Sequence, residues 1–490
     1  MEEKLLNLVA TVNSYLTDYV LIILLVGIGL LFTIRTRFVQ VRYFGEGMKK
    51  VFGNIKLRGG KQKGGLSSFQ ALATAIAAQV GTGNIVGASG AILVGGPGAI
   101  FWMWIIAFFG MATIYAEAVL AQKTRVTDEN GEVLGGPVYY IKKAFKGTFG
   151  KVLAVIFSIS VILALGFMGS MVQSNSIAGS CEEAFGIPVW VIGLVVAAIC
   201  AFIFIGGINR IASVTEKIVP LMATLFLVGG LVVLVLNYKV IPETFGMIFK
   251  FAFQPQALLG GAVGMALKTA ISQGAKRGLF SNEAGMGSTP HAHAQANVKH
   301  PHDQGVVAMI GVFIDTFVVL TMTALVVIST LYAGDGPLAG VTGATYEAMI
   351  ADAGITKATA MQTAMTNALP DFLGATGKIF VAICLFFFAF STILSWNFFG
   401  KVNALYLFGK NKKVATVVYS VIAIGFVFLG SILSNDLVWE LTDFFNYLMV
   451  IPNAIALIAL STLVAKEAKE AKKRKKEAPA EEKQEETVKS

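Results

Sequence analysis

Long apolar runs separated by short polar connections dominate the chain. Eleven runs reach membrane-spanning length: 18–34, 69–95, 97–121, 149–173, 188–207, 213–236, 257–285, 306–331, 377–400, 414–432 and 436–464. Each approaches the roughly 20 mostly apolar residues that cross a hydrocarbon core as a helix. The runs are continuous, not alternating apolar with polar, which excludes a membrane β-barrel. The pattern predicts an all-α polytopic membrane protein with eleven transmembrane helices. Gly96-Pro97 and Gly430-Ser431 mark tight turns between neighbouring spans.

Only 14% of the 490 residues are charged and 55% are hydrophobic. A soluble domain carries about 25% charged residues, so a soluble globular enzyme is excluded. The net charge of +10 falls in connections and at the C-terminus. This distribution fits the membrane-orientation bias, and no nucleic-acid partner is expected. With the C-terminus in the cytoplasm, segments 35–68, 121–150, 207–217, 286–305, 401–413 and 465–490 hold 30 Lys and Arg residues. The outside segments then hold four, Lys4, Lys239, Lys250 and Lys357. The sequence therefore predicts a plasma-membrane protein with its N-terminus outside and its C-terminus cytoplasmic. Cys181, Cys200 and Cys384 are scattered and suggest neither disulfides nor zinc. No cleavable leader is evident, because the first run ends in Arg35 and Arg37 without a small-residue cleavage site.

The pattern divides the chain. Residues 1–34 are an outside N-terminus and an extra helix, and 35–68 are a basic cytoplasmic segment. Within it, 36–56 mixes apolar and basic residues and predicts an interfacial helix, with a plain basic loop as the alternative. The ten remaining spans split evenly into 69–236 and 257–464. Five is odd, so the halves start on opposite sides of the membrane, as in an inverted repeat. Segment 332–376 is a long outside excursion suited to a lid. The tail 465–490 predicts a frayed helix ending in disorder, with basic residues placed to touch anionic lipid.

The first span of each half is interrupted. Gly81, Gly83 and Gly87 stand beside Thr82 and Asn84, and Gln273-Gly274 is followed by Lys276, Arg277 and Gly278. A broken membrane helix exposes backbone N–H and C=O groups, each costing several kcal/mol if unpaired. Half-helix N-termini attract a carboxylate, and C-terminal carbonyls attract a cation. Gln79, Gly81, Thr82, Gly83 and Asn84 are therefore candidates for a substrate carboxylate and amine. The competing reading is a small-residue packing seam. Ser272, Gln273 and Gly274 are candidates at the second break, with helix capping as the alternative.

Other polar groups are less specific. Arg277 and Glu283 could form an inner gate, or, like Lys268 and Lys276, snorkel from a short cytoplasmic half-helix. Glu117 and Asp315 are lone acids in apolar spans; each is a coupling carboxylate, a snorkelling group or a structural hydrogen-bonding group. His291, His293, His300 and His302 form two His-x-His pairs with only Asp303 nearby, so a solvated loop is favoured over a metal site. No phosphate loop, dinucleotide fingerprint or catalytic triad spacing is present, so ATP-driven transport and catalysis are not expected.

Residues 95–110, GGPGAIFWMWIIAFFG, resemble the signature of the sodium:alanine symporters, the alanine or glycine:cation symporter family. QVGTGNIVG (79–87), YAEAVLA (115–121), GGPVYYI (135–141), FSNEAGMGSTPHAHA (280–294) and FAFSTILSW (388–396) resemble the same family in order. The resemblance implies a sodium-coupled carrier for alanine or glycine working by alternating access. It also implies the leucine-transporter-like five-plus-five fold, with 18–34 as an extra helix. Phe167, Gln173 and Trp396 would lie on core spans facing the site, with the two aromatic residues as a wall selecting small side chains. Val80 to Asn84 are also similar to the unwound helix of neurotransmitter:sodium symporters. On that likeness, Ala77 and Val80 would give carbonyls to sodium, and Ser391 and Thr392 hydroxyls. Sodium is the coupling ion implied, with no other cofactor and no obligate protein partner. Proton coupling or exchange remain alternatives, and a channel or a membrane-embedded enzyme are rivals from other classes.

Overall fold

The computed structural model describes residues 2–53, 66–127, 131, 133–255, 258, 263–341, 344–370 and 373–489. The chain opens with α1 (Glu3–Arg35). Arg37 and Phe38 take left-handed φ values of 57° and 58° and turn the chain onto α2 (Phe44–Phe52). The interrupted span follows as α3 (Ser68–Gln79) and α4 (Gly83–Gly95), bent by 46°. Ser67 starts α3 with a capping box to Gln70. Next come α5 (Ala99–Thr124), α6 (Gly147–Phe185), α7 (Val189–Phe204) and α8 (Gly207–Leu236). The second half contains α9 (Val263–Asn282), the short α10 (Pro290–His293), α11 (Pro301–Leu331) and α12 (Gly374–Phe408). It ends with α13 (Lys412–Ile432), α14 (Asn435–Ala459) and α15 (Ser461–Lys489).

Among the described residues, eight helices are long and apolar enough to cross a membrane, and the bent α3–α4 pair makes a ninth. The other two expected spans form shorter or more polar helices. Helix α7 has 16 residues. Helix α9 has 20 but carries Lys268, Lys276 and Arg277.

The two interrupted spans lie side by side and antiparallel. Helix α9 packs on α4, and α10 packs on α3. At one end Leu66 N–H donates to the Gln295 carbonyl at 2.9 Å, and Asn297 N–H donates to the Leu66 carbonyl at 2.9 Å. Helix α5 packs against α9 and α11 and is buried along most of its last four turns. Helix α6 packs against α12 and α13. The extra helix α1 lies outside this core, against α5 and α14.

The basic segment is helical where described, at Val39–Arg42 and α2; residues 54–56 of the expected interfacial helix lie outside the described residues. Gly47 lets α2 sit against Val306 and Ile310 of α11. His302 Nε2 lies 3.4 Å from Glu46, and this hydrogen bond holds the Glu46 carboxyl below its ordinary value. The tail is helical, as expected. Helix α15 runs from Ser461 to Lys489 and buries Val464, Glu467, Ala468 and Ala471. Glu467 is held by Lys123 at 2.6 Å and Arg474 at 2.8 Å. The 332–376 excursion contains helices Ala344–Asp352 and Ala360–Ala368, the second packed on α11 and α12. Lys357 of this segment lies over Gly90 of α4.

Candidate functional site

Helix α3 ends because Val80 leaves the helical region, with ψ of 85°, swinging its carbonyl away from the helix axis. Small residues are required here. A Cβ on Gly81 would lie 2.5 Å from Thr392 Oγ1, and one on Gly83 would lie 3.0 Å from the Phe280 ring. The freed amides find neutral partners. Gly81 N–H donates to Asn84 Oδ1 at 3.0 Å, and Thr82 N–H donates to Gln173 Oε1 at 3.1 Å. These bonds occupy two of the amides expected to face a carboxylate. Thr82 Oγ1, Gln173 Nε2, Gln79 Oε1 and Ser395 Oγ remain buried without a hydrogen-bond partner among the described residues. Orphaned buried polar atoms cost about 1–3 kcal/mol each, a cost that a polar ligand at the break would relieve.

Thr392 of α12 reaches the same break. Its Oγ1 donates to the Ala77 carbonyl at 2.7 Å and lies 3.0 Å from the Phe388 carbonyl. Ser391 turns elsewhere, donating to the Phe388 carbonyl at 2.9 Å with Met222 Sδ at 3.5 Å. Gln79 Nε2 donates to the Asn282 carbonyl at 2.8 Å, tying α3 to the end of α9.

Asn84 also leads to Asp315. Its Nδ2 donates to Asp315 Oδ1 at 2.7 Å, and Ser281 and Thr316 hydroxyls donate to the same carboxyl at 2.9 and 2.8 Å. Asp315 lies in a widened π-type stretch of α11, Phe313–Leu320, a feature frequent at functional sites. It is fully buried, and no Lys or Arg faces it among the described residues. This network joins the first break, α9 and α11.

The second break is not at Ser272, Gln273 and Gly274, where α9 runs unbroken. A Cβ on Gly274 would lie 2.5 Å from Trp102 Cβ, so this glycine permits close approach of α9 to α5. Gln273 packs on Gly95, and Ser272 Oγ donates to Asp18 Oδ1 at 2.9 Å. The helix breaks instead at Glu283–Gly287, with φ values of 56°, 92° and 81° at Glu283, Gly285 and Gly287. Glu117 of α5 closes this break. It accepts from Gly285 N–H at 3.1 Å, Gly287 N–H at 2.9 Å and Asn453 Nδ2 at 2.7 Å. Asn453 also donates to the Gly285 carbonyl and accepts from the Tyr140 hydroxyl. Glu117 is fully buried, which excludes snorkelling.

Arg277 and Glu283 do not form the expected gate. Arg277 pairs with Asp443 of α14 at 3.2 Å, and its guanidinium lies 4.4 Å from the Trp439 ring centre. Lys276 joins Asp443 at 2.8 Å and Glu440 at 3.1 Å. Both cations are largely buried, so they are paired and not snorkelling. Lys268 pairs with Asp18 at 2.7 Å. Glu283 instead accepts from Ser288 Oγ and Trp396 Nε1.

Trp396 therefore lies at the site, between the two breaks. Phe167 does not; its ring stacks on Phe426 at 4.7 Å and Tyr419 at 5.8 Å, facing α13. Beside the first break the Phe280 ring packs against Trp396 and Trp439, at centroid distances of 5.8 and 4.7 Å. Gly169 on α6 lies where a Cβ would meet the Trp396 ring at 2.4 Å. The histidines correct another expectation, because His291, His293 and His302 are buried, not solvated. His291 Nε2 meets Asn403 at 2.8 Å, His293 meets Gln304 at 2.9 Å, and His302 Nδ1 meets the Tyr115 hydroxyl at 2.8 Å.

Sequence reasoning missed Phe280, Ser281, Asp443 and the true second break. Gly285 and Gly287 after Ser281-Asn282-Glu283 echo the small-and-polar composition of 81–84, a partial signal that Gln273-Gly274 carries equally.

The fold matches the crystal structure of MhsT in complex with L-phenylalanine, with a TM-score of 0.56 at 14% identity, covering 83% of this chain and 100% of that one. A profile described as the sodium:alanine symporter family matches residues 2–486, and the chain belongs to that family of transporters. The sodium/alanine symporter AgcS of Methanococcus maripaludis is 42% identical over 461 residues, covering 94% of this chain and 95% of the relative. A putative sodium/proton-dependent alanine carrier protein of Bacillus subtilis, YrbD, is 40% identical over 465 residues, covering 93% and 90%.

Proposed function

We propose that this chain is a sodium-coupled symporter that imports alanine or glycine by alternating access. The carrying observation is the first break, where orphaned donors and acceptors gather beside Thr392 and the Ala77 carbonyl. A substrate carboxylate would take the Thr82 hydroxyl and the Gln173 amide. Sodium would take the Ala77 and Val80 carbonyls with the Thr392 hydroxyl. Phe280 and Trp396 would restrict the substrate side chain to a methyl or hydrogen. The Arg277–Asp443 cluster, on the side of the break away from the basic face, would be the outer gate. The plasma membrane, with the N-terminus outside and the C-terminus cytoplasmic, is the orientation that the basic residues support. Differential sodium affinity for the outward-facing state then couples its gradient to uptake.

Labelled alanine uptake into proteoliposomes, with inward sodium, potassium or proton gradients in turn, tests this. Concentrative uptake with sodium alone is the expected result. Uptake unaffected by sodium overturns the coupling, and absence of alanine or glycine uptake under every gradient overturns the substrate.

A second reading, proton coupling, draws on Asp315, a buried carboxyl with no cationic partner among the described residues. Asp315→Asn separates the two. Loss of proton-driven uptake with sodium-driven uptake intact favours a proton carrier at Asp315. Loss of sodium-driven uptake favours a cation held there.

A further inference from the structure

The end of α1, the turn after it and the first turns of α15 enclose a groove of about 890 Å³. Arg35, Arg37 and Arg42 line one wall, and Lys466, Lys469, Lys472 and Lys473 line the other. Among the described residues, the only acid in the lining is Glu470, 3.9 Å from Lys466. The walls are fixed to each other, because Arg35 Nη1 donates to Thr462 Oγ1 at 2.9 Å. The left-handed pair Arg37 and Phe38 folds the first wall back toward α15.

Orientation bias explains why this face is basic, and not why its unpaired cations converge. Beside the groove several cations are matched: Lys50 with Asp303 at 3.1 Å, Lys123 and Arg474 with Glu467, and Lys475 with Glu46 at 3.6 Å. In the groove, no acid pairs with Arg35, Arg37, Arg42, Lys469 or Lys472 among the described residues. Like charges gathered from two distant segments repel, and an anion held between them relieves that repulsion. The rim adds a second requirement. Ile34, Phe38 and Val41 are 61%, 51% and 60% exposed beside the groove, at the membrane end of α1. Cations in a groove with an apolar rim match a phosphate joined to acyl chains, whereas a free phosphate has no use for the rim.

We propose that this groove binds the headgroup of an anionic phospholipid from the adjacent leaflet. Its phosphate lies between the arginines after α1 and the lysines of α15, and its chains run along Ile34, Phe38 and Val41. The proposal is independent of which amino acid or ion the carrier moves. The lipid would join the first helix to the last and hold α15 against the transporter body.

The test uses the purified full chain in phosphatidylcholine nanodiscs doped with fluorescent phosphatidylglycerol. Each removed cation is expected to weaken retention about fivefold, so Arg37→Ala/Lys469→Ala/Lys472→Ala weakens it about a hundredfold. The control Lys142→Ala/Lys143→Ala/Lys146→Ala removes equal charge elsewhere on this face and is expected to change retention less than twofold. Thermal melting establishes that both variants are folded. Equal losses in both variants overturn the groove in favour of diffuse surface charge. No preference for phosphatidylglycerol over phosphatidylcholine overturns it outright. Displacement of the lipid by an equal concentration of inorganic phosphate overturns the lipid assignment in favour of a free phosphate ester.

Discussion

The first break, around Val80–Gly83, and the second, around Glu283–Gly287, interrupt paired spans with different chemistry. At the first, the amides of Gly81 and Thr82 go to neutral carboxamides, Asn84 and Gln173, and nearby polar atoms are left over. At the second, the amides of Gly285 and Gly287 go to both oxygens of Glu117, which Asn453 holds in place. A neutral hydrogen bond contributes about 1 kcal/mol net, and one to a charged group about 1.5–3 kcal/mol. A ligand can replace the first set of partners at low cost, and not the second. On the proposed function, the first break would exchange partners while the second holds its shape.

The strongest attempt to break this comparison is removal of Glu117. Glu117→Ala leaves two buried backbone N–H groups unpaired, at several kcal/mol each in a membrane interior. Folded, monodisperse protein is expected to be lost, as judged by gel filtration and thermal melting. Glu117→Gln keeps an acceptor and is expected to lose about 1–3 kcal/mol while still transporting. A Glu117→Gln protein of full stability without uptake would make Glu117 a transport group and erase the distinction. Next in size is Gly81→Ala. Its Cβ would lie 2.5 Å from Thr392 Oγ1. Overpacking of about 1–3 kcal/mol is expected to lower uptake up to about a hundredfold with folding retained. Normal uptake would show that the first break yields as a rigid site would not.

The two breaks also differed in how legible they were. Residues 79–87 put glycines and polar groups into an apolar run, so the interruption is a local property. The second break depends on Glu283 taking a left-handed φ of 56°, which a glutamate rarely adopts by itself. Its cause is tertiary, because Glu117, distant in sequence, captures the amides beyond it. Gly274, by contrast, has the local signature of a break and is a contact with Trp102. The apolar runs and the extra first helix were readable from hydropathy. The face of α6 that carries Phe167 was not, because a helix that is apolar all round gives no periodicity to orient it. Arg277 and Asp443 lie in different spans, and only their packing makes them partners.

That pair gives the third prediction. Arg277→Ala or Asp443→Ala removes a charge-assisted contact near the first break, worth about 2 kcal/mol, and is expected to lower uptake about thirtyfold. Arg277→Asp combined with Asp443→Arg is expected to recover most of it. A dead double variant with normal melting would exclude a simple gate pair and leave these residues with roles that depend on position, Lys276 included.

The smallest expected effect separates neighbours on one helix. Thr392 donates to Ala77, at the end of the helix that breaks, whereas Ser391 donates to its own helix at Phe388 with Met222 beside it. Only the first hydroxyl lies where a cation coordinated by the Ala77 carbonyl could also reach it. Thr392→Ala is therefore expected to raise the sodium concentration for half-maximal uptake about fivefold, the equivalent of one neutral interaction near 1 kcal/mol. Ser391→Ala is expected to raise it less than twofold, measured in the same proteoliposomes at saturating alanine. Equal shifts would place both hydroxyls on the ion and require Ser391 to turn away from Phe388 when sodium binds. No shift in either would remove sodium from the first break. Its orphaned groups would then serve the substrate alone, leaving Asp315 as the buried group best placed to meet the coupling ion.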